Sequence, residues 1–195
     1  MARSSDAPQK GKETATASKA VYQQTSILER FRTYRGERTP AALLALFNNE
    51  SMIGARQEPP VVLSDGRSTV RFVFVSSPGA RTFSDIAVMG AKLLSLKRDP
   101  DNTNTWIVEL LPDRGAYQAS VAVPLGELKM IYPITIAPKV DIRPVNGKTV
   151  TTADFDRYLR ERGKDMNQDG KRDETDDFIF TANYLSALGS AAARH

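Results

Sequence analysis

The 195-residue chain contains no cysteine. That excludes disulfide staples, thiolate metal sites and a cysteine nucleophile, while leaving the redox compartment open. Histidine is nearly as scarce, the single copy being the last residue, His195. A Ser-His-Asp constellation and a histidine-based zinc site are therefore implausible. No run approaches the roughly 18 continuous apolar residues of a membrane span. The opening "MARSSDAPQKGKETATASKA" lacks the apolar core of an intact signal peptide, so the chain is either cytosolic or has lost a leader. Phosphate-cradling glycine loops are missing too, since "SSPGA" and "LSALGS" have neither a strand-then-helix context nor a lysine. Acids outside residues 164–178 are sparse and lie mostly in turns, a poor basis for paired-carboxylate catalysis. The expectation is a protein that is not an enzyme.

What the chain does have is uneven. Its net charge is +4, but Arg30, Arg32, Arg35 and Arg38 face Glu37 alone over residues 30–38, whereas six acids crowd "KDMNQDGKRDETDDF". The arginines read as a solvated helical face, without the aromatic-and-basic pattern of RNA-binding modules, so no nucleic acid partner is expected. Residues 1–19 are too polar to offset their ordering entropy and read as a disordered tail. Over residues 20–58 the spacing predicts helices. Val21, Gln24, Ile27, Leu28 and Phe31 share one face up to a stop at Gly36. "TPAALLALFNN" starts a second helix with Thr39 as N-cap and Pro40 in its first turn.

From 60 to 139 the period shortens to two. "STVRFVFV", "DIAVMGAKLLSLKR", "TWIVELLP", "YQASVAVPL" and "MIYPITIAP" are strand-like, and "SDGRS", "RDPDNTN", "PDRG" and "PLGE" supply turns between them. This predicts an antiparallel, immunoglobulin-like sandwich of about seven strands, making the fold mixed but mainly β. Trp106 reads as a core residue between sheets, and "RDPDNTNTW" as a hairpin turn rather than a metal loop. A carbohydrate-binding sandwich needs exposed aromatics, and with one Trp it is the weakest functional alternative.

The acidic stretch has a regular spacing. Asp165, Asn167 and Asp169 fall at positions 1, 3 and 5 of a 12-residue loop, Gly170 at the sharp turn, Lys171 at position 7, Asp173 at 9 and Asp176 at 12. Alternate side chains pointing inward supply hard oxygens for calcium; Lys171 contributes only its carbonyl and Asp173 acts through water. Phe155, Tyr158 and Leu159 before the loop, and Phe178, Phe180, Ala182, Tyr184, Leu185 and Leu188 after it, lie at helical spacing. Helix, loop, helix is the EF-hand arrangement. The plain alternative is an acidic turn between helices.

An Asp at position 12, with Asn at 3 and Lys at 7, resembles the dockerin family, whose loops read D-x-N-x-D-G-K-x-[ND]-x-x-D. Arg172 at position 8 departs from it, for dockerins usually carry an apolar residue there. Upstream, "DIRPVNGKTVTTADF" is similar to an eroded first copy, with Asp154 as the closing residue, one residue inserted, and acids missing at positions 1 and 3. The resemblance covers residues 141–190 and implies a dockerin-like EF-hand module over residues 140–195, calcium as the ion, and a cohesin-like or surface-assembly partner. Extracellular calcium is millimolar, so the expected setting is extracytoplasmic: secreted, periplasmic or cell-surface. Burial of the exiting helix against the rest of the chain would favour a structural role over partner docking.

Overall fold

The structure is a computed structural model and describes residues 20–48, 54–76, 86–161 and 164–192. The tail at 1–19 and His195 lie outside the described residues. Mainly β in character, the fold carries, among the described residues, four helices beside several sheets.

One four-stranded sheet runs β2 (Ala55–Glu58), β4 (Val70–Val75), β7 (Thr105–Pro112) and β6 (Ala91–Arg98), antiparallel throughout. A second has β1 (Ala20–Gln23), β9 (Leu128–Ile134), β8 (Ala119–Leu125) and β5 (Ala87–Met89), in which β1 alone pairs in parallel, with β9. A short parallel pair, β3 (Val62–Leu63) with β10 (Ile136–Ala137), extends from these. Alternation explains the core. Val70, Phe72 and Phe74 of β4, Trp106, Val108 and Leu110 of β7, and Val121, Val123, Met130, Tyr132 and Ile134 of β8 and β9 form one buried cluster between the two sheets. The Gln57 side chain ties one sheet to the other. Its Nε2 donates to the Thr135 carbonyl at 3.0 Å, and its Oε1 accepts from the Thr135 N–H at 2.7 Å.

Four helices form a second cluster: α1 (Ile27–Thr33), α2 (Pro40–Ala45), α3 (Thr152–Arg160) and α4 (Glu174–Ala192). α4 lies at its centre, packed against α1, α2, β3 and β10. Every residue from Thr175 to Tyr184 is buried, the burial expected of a helix apolar on more than one face. Phe31 and Phe178 meet edge-on at 5.7 Å, Phe47 stacks on Phe178 at 5.7 Å, and Tyr158 stacks on Phe180 at 3.8 Å. Asn183 staples the end of the sheets to this helix, accepting from Val140 N and donating to the Pro138 and Ile179 carbonyls.

Two sequence expectations need correction. The helix read from Val21 starts at Ile27, and residues 20–23 are a strand. Ser26 caps α1 by accepting from Glu29 N at 3.0 Å, while the free edge of β9 offers the preceding residues a ladder of hydrogen bonds. Strands β2 and β3 were also not legible in the sequence, and the run 86–98 breaks at Gly90 into two strands belonging to different sheets. Gly90 has φ +70°, and a Cβ there would meet the Gln118 carbonyl at 2.2 Å, so only glycine lets the chain cross at that point.

Candidate metal centre

The loop between α3 and α4 is organised by its own side chains. Asp165 accepts from Gly170 N at 2.7 Å and from Asp169 N at 3.2 Å; Asn167 Oδ1 also accepts from Asp169 N, at 3.1 Å. The Asn167 amide donates to Asp169 Oδ2 at 2.9 Å, and Asp169 Oδ1 accepts from Lys171 N at 2.9 Å. These bonds draw positions 1, 3 and 5 around a turn in which Gln168 has φ 60° and Gly170 φ 84°. Lys171 is exposed. Asp173 ends the loop as a helix cap, its Oδ1 accepting from Thr175 N at 2.7 Å.

Asp176 sits apart from that group. It is fully buried. Its Oδ1 accepts from Met166 N at 2.6 Å and Asn167 N at 3.4 Å, and its Oδ2 from Asp173 N at 2.8 Å. The closing carboxylate is thus held by backbone donors at the foot of α4, with Arg172 Nη1 4.0 Å from its Oδ2. Among the described residues, no three acidic or histidine side chains converge closely enough, as they stand, to hold a metal ion. The donor chemistry nevertheless suits a hard divalent cation, with oxygen-bearing side chains at positions 1, 3, 5, 9 and 12 of one 12-residue loop. Binding needs Asp176 to turn from the Met166 and Asn167 N–H groups toward Asp165 and Asp169.

The sequence reading missed what Arg172 does. Its guanidinium turns inward, donates to the buried Asp177 carboxylate and to the Asp173 carbonyl, and lies 5.0 Å over the Tyr158 ring. The Tyr158 hydroxyl donates to Asp177 Oδ1 at 3.0 Å. Burial, and then the negative charge of Asp177, push the Tyr158 phenol far up, so it stays a donor. Arg38 adds Nη1 to Asp177 Oδ2 at 3.3 Å and Nη2 to Glu174 at 3.2 Å. The arginines of residues 30–38 are largely occupied within the chain. Arg30 donates to the Asn48 carbonyl at 2.8 Å, and Arg35 to the carbonyls of Arg32 and Tyr34. No local signal in the sequence pointed to this, because Tyr158 and Asp177 come within reach of Arg172 only through the packing of α3 against α4.

The upstream segment repeats the closing geometry. Asp154, 1% exposed, accepts from Val145 N at 2.5 Å with Oδ1 and from Thr151 N at 2.7 Å with Oδ2. Asp176 does the same with Met166 N and Asp173 N. In both cases one oxygen grips the chain entering the loop and the other grips the residue just before the helix, completing a capping box at Thr151.

Set against known proteins, the chain matches no family model, no curated protein and no solved structure. No helix among the described residues is long and apolar enough to cross a membrane.

Proposed function

We propose that this is a non-catalytic, calcium-binding structural protein of an extracytoplasmic setting, in which the ion orders the loop Asp165–Asp176 and so fixes the helices around α4. Asp165, Asn167, Asp169, Asp176 and the Lys171 carbonyl would hold the ion, with Asp173 reached through water. The observation that carries this reading is the turn at Gly170, where Asp165, Asn167 and Asp169 are already drawn together by hydrogen bonds, above a buried Asp176 at the start of α4. Paired turns closed by Asp154 and Asp176 support a dockerin-like module.

The two sheets support an immunoglobulin-like sandwich. Naming β2, β4, β5, β6, β7, β8 and β9 A to G in chain order gives one sheet ABED and another containing CFG, the constant-type order. A structural role is favoured over docking of a cohesin-like partner by the cover on α4. Phe178, Ile179, Phe180, Ala182 and Tyr184, each at most 3% exposed, face this chain's own helices and strands. Trp106 is spent in the core between the sheets and lends nothing to carbohydrate binding.

Thermal melting in calcium and in EGTA, beside calorimetric titration, tests the reading. At free ion a hundred times Kd the gain is about 2.7 kcal/mol, roughly 5–10 °C in Tm for a chain of this size. Asp165→Ala is expected to abolish that difference, so that the variant melts at one temperature in both buffers, whatever the loss of its bonds to Gly170 N and Asp169 N does to that temperature. Identical melting in both buffers, with no heat of binding, sinks the proposal.

A further inference from the structure

Aligned on their closing residues, the two loops differ in a telling way. Counted straight back from the closing residue, the places of Asp165, Asn167 and Asp169 fall upstream on Arg143, Val145 and Gly147. With the one inserted residue taken into account they fall on Ile142, Pro144 and Asn146. At most one side-chain oxygen therefore stands where the second loop has three oxygen-bearing side chains. Asn146 accepts from Lys148 N at 2.9 Å and Thr149 N at 3.1 Å, and its single amide oxygen does not replace the three oxygen-bearing side chains of the other loop. Yet Asp154 is as deeply buried as Asp176, and a buried carboxylate is costly without a counter-charge or enough hydrogen bonds. The charge comes from α3 itself. Arg157 Nη2 lies 3.4 Å from Asp154 Oδ1 and donates to the Arg143 carbonyl at the loop's entry. One cation therefore bridges the first residue of the loop, through its carbonyl, and the last, through its carboxylate. Three residues after Asp176 the equivalent place holds Ile179, which is fully buried in the apolar cluster. There, among the described residues, no helix-borne cation reaches back across the loop; the nearest cation is Arg172 of the loop itself, whose Nη1 lies 4.0 Å from Asp176 Oδ2 while its Nη2 donates to Asp177.

We propose that the Arg157 guanidinium is a tethered cation doing in residues 143–154 what calcium does in residues 165–176, so that the module closes one turn with a metal ion and the other with a side chain. The comparison with the second loop rests on the calcium reading above; the role of Arg157 does not. It follows that the chain binds one calcium ion and that Arg157 is a positioning residue for the upstream turn. Its Nε also lies 3.9 Å from Glu161, an exposed contact that contributes little.

The test compares Arg157→Gln and Arg157→Lys with wild type in EGTA, reading Tm and amide hydrogen exchange, and counts calcium ions per wild-type chain. Gln keeps a polar side chain and loses the charge; Lys restores the charge without the fork. Arg157→Gln is expected to lower Tm by roughly 4–8 °C, the shift that loss of a partly buried ion pair gives in a chain of this size. It should also speed exchange at the Val145 and Thr151 amides by about tenfold or more, while leaving the Met166 and Asp173 amides unchanged. Lys should recover part of both. Wild-type behaviour of Arg157→Gln, equal damage from Gln and Lys, or two calcium ions per wild-type chain would each overturn the proposal. Because the variants are compared in EGTA, failure of the chain to bind calcium defeats the proposed function and leaves this inference standing or falling on its own readouts.

Discussion

Arg38 and Asp177 form an ion pair, Nη1 to Oδ2 at 3.3 Å, that joins the connection between α1 and α2 to the first turn of α4. Asp177 gathers three partners at once: Arg38, Arg172 and the Tyr158 hydroxyl. These come from the N-terminal helices, the acidic loop and α3, so a single carboxylate fastens every helical part of the chain to α4.

Replacing the two ends of that pair should therefore have unequal effects. Asp177 has a 2% exposed side chain, whereas that of Arg38 is 45% exposed. Asp177→Ala leaves the buried Tyr158 phenol without its acceptor and takes from the partly buried Arg172 its nearest carboxylate, at a cost of about 3–5 kcal/mol. Arg38→Ala should cost about 1 kcal/mol or less, the range of exposed pairs. Urea denaturation of the two variants measures both; equal losses would mean that Asp177 is not the hub.

Phe178 bridges α4 to the N-terminal helices through Phe31 and Phe47. Phe178→Ala is expected to cost about 3–5 kcal/mol. It should raise exchange in α1 as well as α4, because Ile27, Leu28 and Phe31 lose the surface they cover. Phe31→Ala and the double variant complete a cycle whose coupling should exceed about 0.5 kcal/mol, as for side chains in contact. Additive losses would argue against one shared core.

Asp154 should give the chain an acid-sensitive element. Burial opposes its ionisation, but the N–H groups of Thr151 and Val145, the Thr151 hydroxyl and Arg157 outweigh it and hold the carboxyl below its ordinary 3.8. With a folded pKa below the unfolded one, its stabilisation is complete above about pH 4 and is lost as pH falls through the folded value. Asp154→Asn removes that contribution at neutral pH. Stability measured between pH 3 and 7 should fall more steeply at the acid end for wild type than for the variant; parallel curves would contradict the assignment.

The elements legible in the sequence were those whose pattern one buried face dictates. Val70, Phe72 and Phe74 alternate because one face of β4 meets the core, and Thr39-Pro40 starts α2 because its first N–H groups need an acceptor. The start of α1 was misread because Val21 and Gln24 extend its apolar spacing, although "SILE" is itself a capping signal and Ser26 does cap it. Nothing local told that residues 20–23 would lie along β9, since that depends on an edge more than a hundred residues away. Within the loop, the oxygen-bearing positions could be read from their spacing. The inward turn of Arg172 could not, because it answers to Asp177 and Tyr158, which only the packed helices bring within reach.

The position of α4 has a consequence for how the chain is made. Ile27, Leu28 and Phe31 leave the ribosome more than a hundred residues before the helix that shelters them, α4 (Glu174–Ala192). Until then the nascent chain carries a sticky, unfinished surface, one that a holding chaperone would be suited to guard. A premature stop before Glu174 would leave that surface bare, turning a truncated product into a substrate for proteolysis rather than a shorter working protein.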